Sequence, residues 1–337
     1  MSKSQQAPTI AALGATYHEW IAAHPTTAAD FARALDDILS DAGVNFDNIT
    51  SRVKTWNSLQ RKASKRHPDG SLMYPDPWRD IHDLIGARIT VLHSTEIPVV
   101  LDIIAHSFAV LRSVDKAQET KISGGFGYGS HHLILEVTAA SEGLEQYRGM
   151  EFEVQVRTVL QHAWAEFEHD VRYKRGANST APQVDRAFTL AAGLIELADQ
   201  QFDQIAALQA PSNVRLPDEE LDLTTDTLPG ILTMMLGTRF PRSRTEAYRW
   251  LQDLLFANGL TTIRDLADLV NEADIEVVRT AMNYRFQPGQ VRIIDDLLLN
   301  RYGTEHIRRT GNLGRQAKQR PQRLKRRLEQ LRLTTNP

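Results

Sequence analysis

Cysteine is absent from all 337 residues. That excludes disulfides, cysteine-bound zinc, iron–sulfur clusters and thiol catalysis, and is compatible with a reducing cytosol. Long apolar runs are absent as well. No stretch approaches the length that crosses a bilayer, so no membrane partner is expected. The first residues, MSKSQQAPTIAALGATYHEW, lack the apolar run of a secretion signal, and a cytoplasmic location is expected. Asn178-Ser179-Thr180 then matches a glycosylation triplet by chance. A further shortage is local. No acid occurs between Asp47 and Asp69, while Arg52, Lys54, Arg61, Lys62, Lys65 and Arg66 all do. Cations without a local counter-charge attract polyphosphate, whereas a merely solvated helix face usually alternates its charges.

What is present suits a globular protein. Charged residues make up 24% and hydrophobic residues 42%, on a length that gives one large domain or two. The net charge of −3 conceals an asymmetry. From Glu305 onward ten Lys or Arg stand against two acids, an excess of +8 that leaves residues 1–304 at −11. Such an end can bind nucleic acid or an acidic partner, or it can be a solvated, partly disordered tail.

The chemistry concentrates in residues 151–174, EFEVQVRTVLQHAWAEFEHDVRYK. Phe152, Val154 and Val156 alternate with Glu151, Glu153, Gln155 and Arg157, which predicts a strand with one core face and one polar face. Leu160, Ala163, Trp164 and Phe167 then recur at helical spacing. On that helix His162, Glu166 and Asp170 share a face, with His169 beside them. Strand and helix together can place polar groups around one cleft.

Upstream, residues 9–22 and 26–41 read as two helices that cover one side of the next unit. Residues 47–66 read as a helix, with Lys54, Ser58, Arg61, Lys62 and Lys65 on one face. A strand is expected over 88–93. Asp83 precedes it, and a carboxylate near a strand end is a usual holder of Mg2+ beside phosphates. The His82-Asp83 pair superficially matches metal-dependent phosphohydrolases but has no further His or Asp company. Residues 96–107 read as a helix and 108–114 as a strand. Lys121 to His132 then holds Gly124, Gly125, Gly127 and Gly129, a loop whose backbone can approach a ligand. Tyr128 within it can stack on a base or anchor the core. The next strand puts Leu133, Leu135 and Val137 on one face and His132, Ile134 and Glu136 on the other. Residues 183–208 form a long amphipathic helix, 210–217 a linker-like break, and 229–303 an all-helical region without a catalytic constellation. Glu166-Phe-Glu-His169 lacks the second copy that a carboxylate-bridged di-metal site needs.

These residues carry a resemblance. Arg52-x-Lys54-x-x-x-Ser58-x-x-x-Lys62 is followed by Asp83-Leu-Ile-Gly-Ala-Arg88 and by Gly127-Tyr128-x-Ser130-x-His132. Glu153-x-Gln155-x-Arg157-Thr158 comes next, and then Leu-Gln-His162-Ala-Trp-Ala-Glu166-x-x-His169-Asp170-x-x-Tyr173-Lys174. In this order, over residues 46–175, they closely resemble the RelA/SpoT-type alarmone synthetase domain, and LQHAWAEFEHD resembles its small, single-synthetase members. The resemblance implies an α+β fold, a mixed β-sheet flanked by helices and related to nucleotidyltransferases, followed here by an all-helical C-terminal region. The expected division is 1–45 for N-terminal helices packing on the core, 46–210 for the synthetase domain, 218–304 for a helical domain and 305–337 for a basic tail.

The resemblance further implies transfer of pyrophosphate from ATP to the 3′-hydroxyl of GDP or GTP, with Mg2+ as cofactor. Arg52, Lys54, Ser58, Lys62 and Arg88 would bind ATP. Asp83 and Glu153 would hold Mg2+, and Glu153 would also draw the proton from the 3′-hydroxyl. Tyr128 would stack on the guanine, His132 would align the acceptor, and Lys121, Gln155, Arg157 and Glu166 would line its site. The chain departs from the family at Gly129, where many members have Arg or Gln, and at Gly124-Gly125, where many have Pro-Lys. It departs also at His131, where Leu is common. All these changes lie on the acceptor side, so GDP, GTP and GMP stay open. Two other readings stand beside this one. Some relatives are toxins that modify tRNA 3′ ends or adenosine nucleotides, and the basic C-terminal tail would suit tRNA. A nucleotide-binding regulator with a degenerate synthetase fold is the other. Many small synthetases are homo-oligomers, and a homo-oligomer is a further expectation.

Overall fold

The computed structural model describes residues 10–116, 129–175, 182–208, 220–314 and 317–335. The glycine loop with Lys121 and Tyr128, the 178–180 triplet, the 210–217 break and the side chain of His169 lie outside the described residues. The chain divides into two compact units, one of residues 1–36 and 46–205, the other of residues 37–45 and 206–337.

The first unit is built on a five-stranded sheet. In chain order its elements are α1 (Ile10–Ala23), α2 (Thr27–Asp41, shared between the units), β1 (Phe46–Val53), α3 (Trp56–Ala63) and α4 (Pro77–Asp80). Then come β2 (Ile85–Val91), α5 (Glu96–Ser107), β3 (Ala109–Asp115), β4 (His131–Glu136) and β5 (Glu151–Thr158). Two long helices follow, α6 (Val159–Arg175) and α7 (Pro182–Leu208). The spatial order is β1-β2-β5-β4-β3. β2 and β5 run parallel, and the other neighbours run antiparallel, so the sheet is mixed as expected.

The alternation in the sequence explains which face is covered. Phe152, Val154 and Val156 of β5 are fully buried, as are Ile85 and Ile89 of β2 and Leu135 of β4. Phe152 packs between Phe31 and Phe108, with ring centroids 4.9 and 5.1 Å away. The opposite face keeps the polar residues. At its end the sheet is tied to α7. Thr158 Oγ1 donates to Asp199 Oδ2 at 2.8 Å, and Ser94 donates through its backbone N and its hydroxyl to Asp203 at 2.9 and 2.5 Å.

One expectation fails. Residues 47–66 are not a single helix: they are strand β1, a short bend and helix α3. Ile49, Ser51 and Val53 alternate with Asn48, Thr50 and Arg52, and β-branched side chains suit a pleated surface. The ladder to β2, with Ile49 opposite Ile89 and Arg52 opposite Gly86, overrides the helical spacing of the cations. β2 likewise begins at Ile85, earlier than residue 88, because Ile85, Ala87 and Ile89 already alternate into the core.

A small separate core fixes α3. Leu13 and Tyr17 of α1 meet Leu59 and Ala63 of α3 and Ile81 and Leu84 before β2, with Trp56, Tyr74 and Trp78 packed around them. Gly14 permits the approach, since a Cβ there would lie 3.1 Å from the Trp56 ring.

The second unit is helical, as the sequence indicates: α8 (Leu228–Leu236), α9 (Thr245–Ala257), α10 (Ile263–Leu269), α11 (Glu272–Met282), α12 (Gln290–Tyr302), α13 (Thr304–Thr310) and α14 (Arg320–Thr335). Thr262 and Asp265 form a capping box at the start of α10, and Asn271 caps α11. Leu232, Leu251, Leu255, Val278, Ile294, Leu298 and Leu324 fill its core. Leu324, Leu328 and Leu331 place the basic end of the chain in that core, so at α14 it is not a solvated, disordered tail. Arg320 is 8% exposed and reaches Asp295 at 2.6 Å. Arg327 reaches Asp295 at 2.9 Å and also bonds Asp296. Arg323 meets Asp37 at 3.0 Å. Three of the ten cations beyond Glu305 are thereby paired inside the unit. No helix among the described residues is long and apolar enough to cross a membrane.

Candidate active site

The polar face of the sheet is built by register. Parallel pairing sets Gly86 beside Glu153, Arg88 beside Gln155 and Thr90 beside Arg157. Antiparallel pairing on the other side of β5 sets His132 beside Gln155. Arg88, His132, Glu153, Gln155 and Arg157 are thus neighbours on one surface, although they come from three separate strands.

Glu153 is held from two sides. His132 Nδ1 lies 2.8 Å from Glu153 Oε1, and Gln155 Nε2 donates to Glu153 Oε2 at 3.4 Å. The other ring nitrogen of His132 lies 2.8 Å from the Ser130 hydroxyl. Burial pushes the Glu153 carboxyl up, and the charge of Asp83 adds to that. The hydrogen bond and charge of His132 outweigh both, so the group sits below its ordinary value and is a carboxylate at neutral pH.

Asp83 lies at the entry to β2 between two lysines. Lys54 Nζ is 2.9 Å from Oδ2 and Lys62 Nζ 2.9 Å from Oδ1. Burial alone would raise its pKa, but the two ammonium groups more than offset that and lower it. The β1–α3 bend delivers Lys54, and the first turns of α3 deliver Ser58 and Lys62. Tyr17 anchors the bend, its hydroxyl donating to the Lys54 carbonyl at 3.0 Å. Lys62 also lies over the Tyr74 ring, 5.7 Å from its centre. Ser58 accepts from Thr55 Oγ1 at 3.1 Å and from Arg61 Nη2 at 3.4 Å. Arg52 is exposed on the edge strand and makes no ion pair among the described residues.

A second cluster joins the sheet to α6. Arg88 Nη1 donates to Glu166 Oε1 at 3.1 Å and Arg157 Nη2 donates to the same oxygen at 3.4 Å. Arg157 Nη2 also hydrogen-bonds His162 Nδ1. Burial, with Arg88 nearby, lowers the Arg157 guanidinium to about 10 although Glu166 opposes the shift. His162 is held down by burial and by the same two arginines. His82 makes a hydrogen bond to Glu151 at the head of β5.

The structure therefore brings together Lys54, Lys62 and Asp83 in one group, His132, Glu153 and Gln155 in a second, and Arg88, Arg157 and Glu166 in a third. The charge of Asp83 reaches Glu153, which links the first two. Ser58 and Arg52 flank the first. Sequence reasoning overlooked Tyr17, which sits in an apolar stripe with no chemical signature. It also overlooked the bond between His162 and Arg157, which follows only from the turn between β5 and α6.

The donor set suits Mg2+. Asp83 Oδ1 is buried with the Lys62 ammonium 2.9 Å away as its ion-pair partner, and the charge of Asp83 is felt at a second carboxylate, Glu153. Magnesium is held by one or two carboxylates with water and substrate phosphate oxygens completing its shell. No larger group of His, Asp and Glu that could hold a metal occurs among the described residues.

Residues 51–178 match the family described as "Region found in RelA / SpoT proteins". The chain is 26% identical over 158 residues to the GTP pyrophosphokinase YwaC of Bacillus subtilis (strain 168), an alignment spanning 46% of this chain and 71% of that one. With the GTP pyrophosphokinase YjbM of the same organism the identity is 28% over 135 residues, spanning 39% of this chain and 58% of that one. Among solved structures, the small alarmone synthetase 1 from Bacillus subtilis bound to its product pppGpp aligns with a TM-score of 0.47 and 21% identity, over 58% of this chain and 99% of that one. The second unit lies wholly outside residues 51–178.

Proposed function

We propose, from the premise that residues 51–178 are a RelA/SpoT-type region, that this chain is a GTP pyrophosphokinase. It transfers pyrophosphate from ATP to the 3′-hydroxyl of GDP or GTP, giving (p)ppGpp, with GMP as a further acceptor. The observation that carries the reading is a part-buried carboxylate on the polar sheet face, Glu153, held ionised by His132 and within reach of the charge of Asp83, which Lys54 and Lys62 flank.

Group transfer of this kind is mostly positioning and neutralisation of charge. Lys54, Lys62 and Arg88, with Arg52 and Ser58 at the rim, bind and orient the phosphates of ATP. Glu153, ionised at neutral pH, accepts the proton of the 3′-hydroxyl. The 3′-oxygen then bonds the β-phosphorus, the bond from that phosphorus to the α–β bridging oxygen breaks, and AMP leaves with the electron pair. His132 keeps the Glu153 carboxylate oriented and ionised, and Gln155 holds its second oxygen. Asp83 and Glu153 are the residues that would hold Mg2+, which neutralises phosphate charge when bound. Lys121 and Tyr128 are proposed for the acceptor.

The test is a transfer assay with γ-phosphate-labelled ATP and Mg2+, with GDP, GTP, ADP and deacylated tRNA as separate acceptors. Label in guanosine tetra- or pentaphosphate is expected, with loss of roughly 10²–10⁴-fold in Glu153→Gln, the usual worth of a positioned base. Asp83→Asn should likewise lose turnover. Label found only in tRNA or an adenosine product, or full activity in both variants, would overturn the proposal.

A further inference from the structure

Two guanidinium groups from adjacent parallel strands end at one carboxylate oxygen, Glu166 Oε1. Exposure is graded across this group. The Arg157 side chain is 3% exposed, Arg88 33% and Glu166 58%. The carboxylate therefore forms the solvent side of the cluster and can pass into water at little cost, whereas Arg157 cannot. The arginines also hold donors in reserve: Nε of Arg88 and Nε of Arg157 are buried without a hydrogen bond. After burial, Arg88 is the next cause of the lowered Arg157 guanidinium, so the two cations repel and need an anion between them. A phosphate offers three oxygens and more charge than one carboxylate, and arginine forks suit it.

We infer that Glu166 is an affinity-setting residue of the phosphate site, its carboxylate standing on Arg88 in the place that a substrate phosphate takes. It is a positioning residue. In the ligand-free chain it keeps two mutually repelling arginines at neighbouring register positions. An arriving polyphosphate displaces it from Arg88, while Arg157 keeps its bond to His162. Binding is then an exchange of anions with no covalent change, and affinity is lower than the bare arginines would give. The inference rests on the pyrophosphokinase reading only in naming the polyphosphate as that of a nucleotide.

The full-length chain, Glu166→Gln and Glu166→Asp are titrated with inorganic tripolyphosphate at fixed salt by calorimetry, and assayed for KM and kcat with ATP. Tripolyphosphate is expected to bind about fivefold tighter to Glu166→Gln, the worth of a partly exposed ion pair. Glu166→Asp keeps the charge but withdraws it by one methylene, and should fall between. KM for ATP should drop with the same ranking, a change that a purely structural role would not produce. Unchanged or weaker tripolyphosphate binding in both variants overturns the inference, as does binding by none of the three chains. If Glu166→Gln does not fold, Glu166→Asp decides by the same criterion. Absent transfer to GDP and GTP by the unaltered chain sinks the pyrophosphokinase reading alone, since the tripolyphosphate titration needs no turnover.

Discussion

The base role proposed for Glu153 requires that it be ionised, and His132 is what keeps it so against burial. Replacing His132 with Asn removes that support. The carboxyl then rises, and the acid limb of the pH profile of kcat/KM moves to higher pH. At neutral pH the rate should fall by about 10- to 100-fold, the range for losing the partner that orients a functional side chain. A limb that stays in place would show that Glu153 is not the base. At this scale the sequence was informative about faces. Alternation alone put Glu153, Gln155 and Arg157 on one side of a strand and His132 on the polar side of another. It could not supply the bond between His132 and Glu153, because that needs the register of β4 on β5, which is set by pairing across the sheet. Nor could it tell that Arg157 would be buried at the root of the cluster, bonded to Glu166 and His162.

Helix α7 is bonded to the sheet through Asp199 and Asp203, one turn apart. Burial, with Asp203 nearby, pushes the Asp199 carboxyl up to about 7. An acid with a raised folded-state pKa prefers its neutral form there. Its unfavourable ionisation is felt as pH rises from its ordinary value near 4 to the folded value near 7, and stability of the first unit falls over that window. Thermal midpoints should therefore decline between pH 4 and pH 7, by roughly 2–4 °C for each kcal/mol lost. Asp199→Asn should flatten that slope, and an unaltered slope would refute the assignment. Sequence reading placed α5, α6, α7 and four of the five strands, all but β1, from patterns near 2.0 or 3.6 residues. It failed at 47–66 because Lys54, Ser58 and Lys62 are four apart across a junction of strand and helix. Convergence on Asp83 brings Lys54 and Lys62 together there, not a shared helical face.

The second unit sets a buried ionic network beside its leucine core. Burial opposes ionisation of Asp295, but Arg320 and Arg327 more than offset it and hold the carboxyl well below the usual range. Its contribution is therefore present at neutral pH and lost only as pH falls below the ordinary carboxylate range. Asp295→Asn leaves buried guanidinium groups short of a partner and should cost about 3–5 kcal/mol. The loss is readable in urea through the fluorescence of Trp250, over which Arg320 lies at 4.7 Å. An unchanged midpoint would show that Asp296 suffices. The helices of this unit were legible from sequence, but the fate of its basic end was not. Charge counting cannot show that Asp295 and Asp296, some 25 to 32 residues away, would meet those arginines. In the first unit, β5 is the last strand synthesised and the middle one in space. Before residue 158 is made, β1–β2 and β3–β4 are separate ribbons, each with an edge that β5 will later cover. Open edges are templates for pairing with other chains. The strand that joins the two ribbons also carries Glu153, so the polar face around that carboxylate is assembled only as the inner edges of β2 and β4 are covered, with β1 and β3 left as the outer strands.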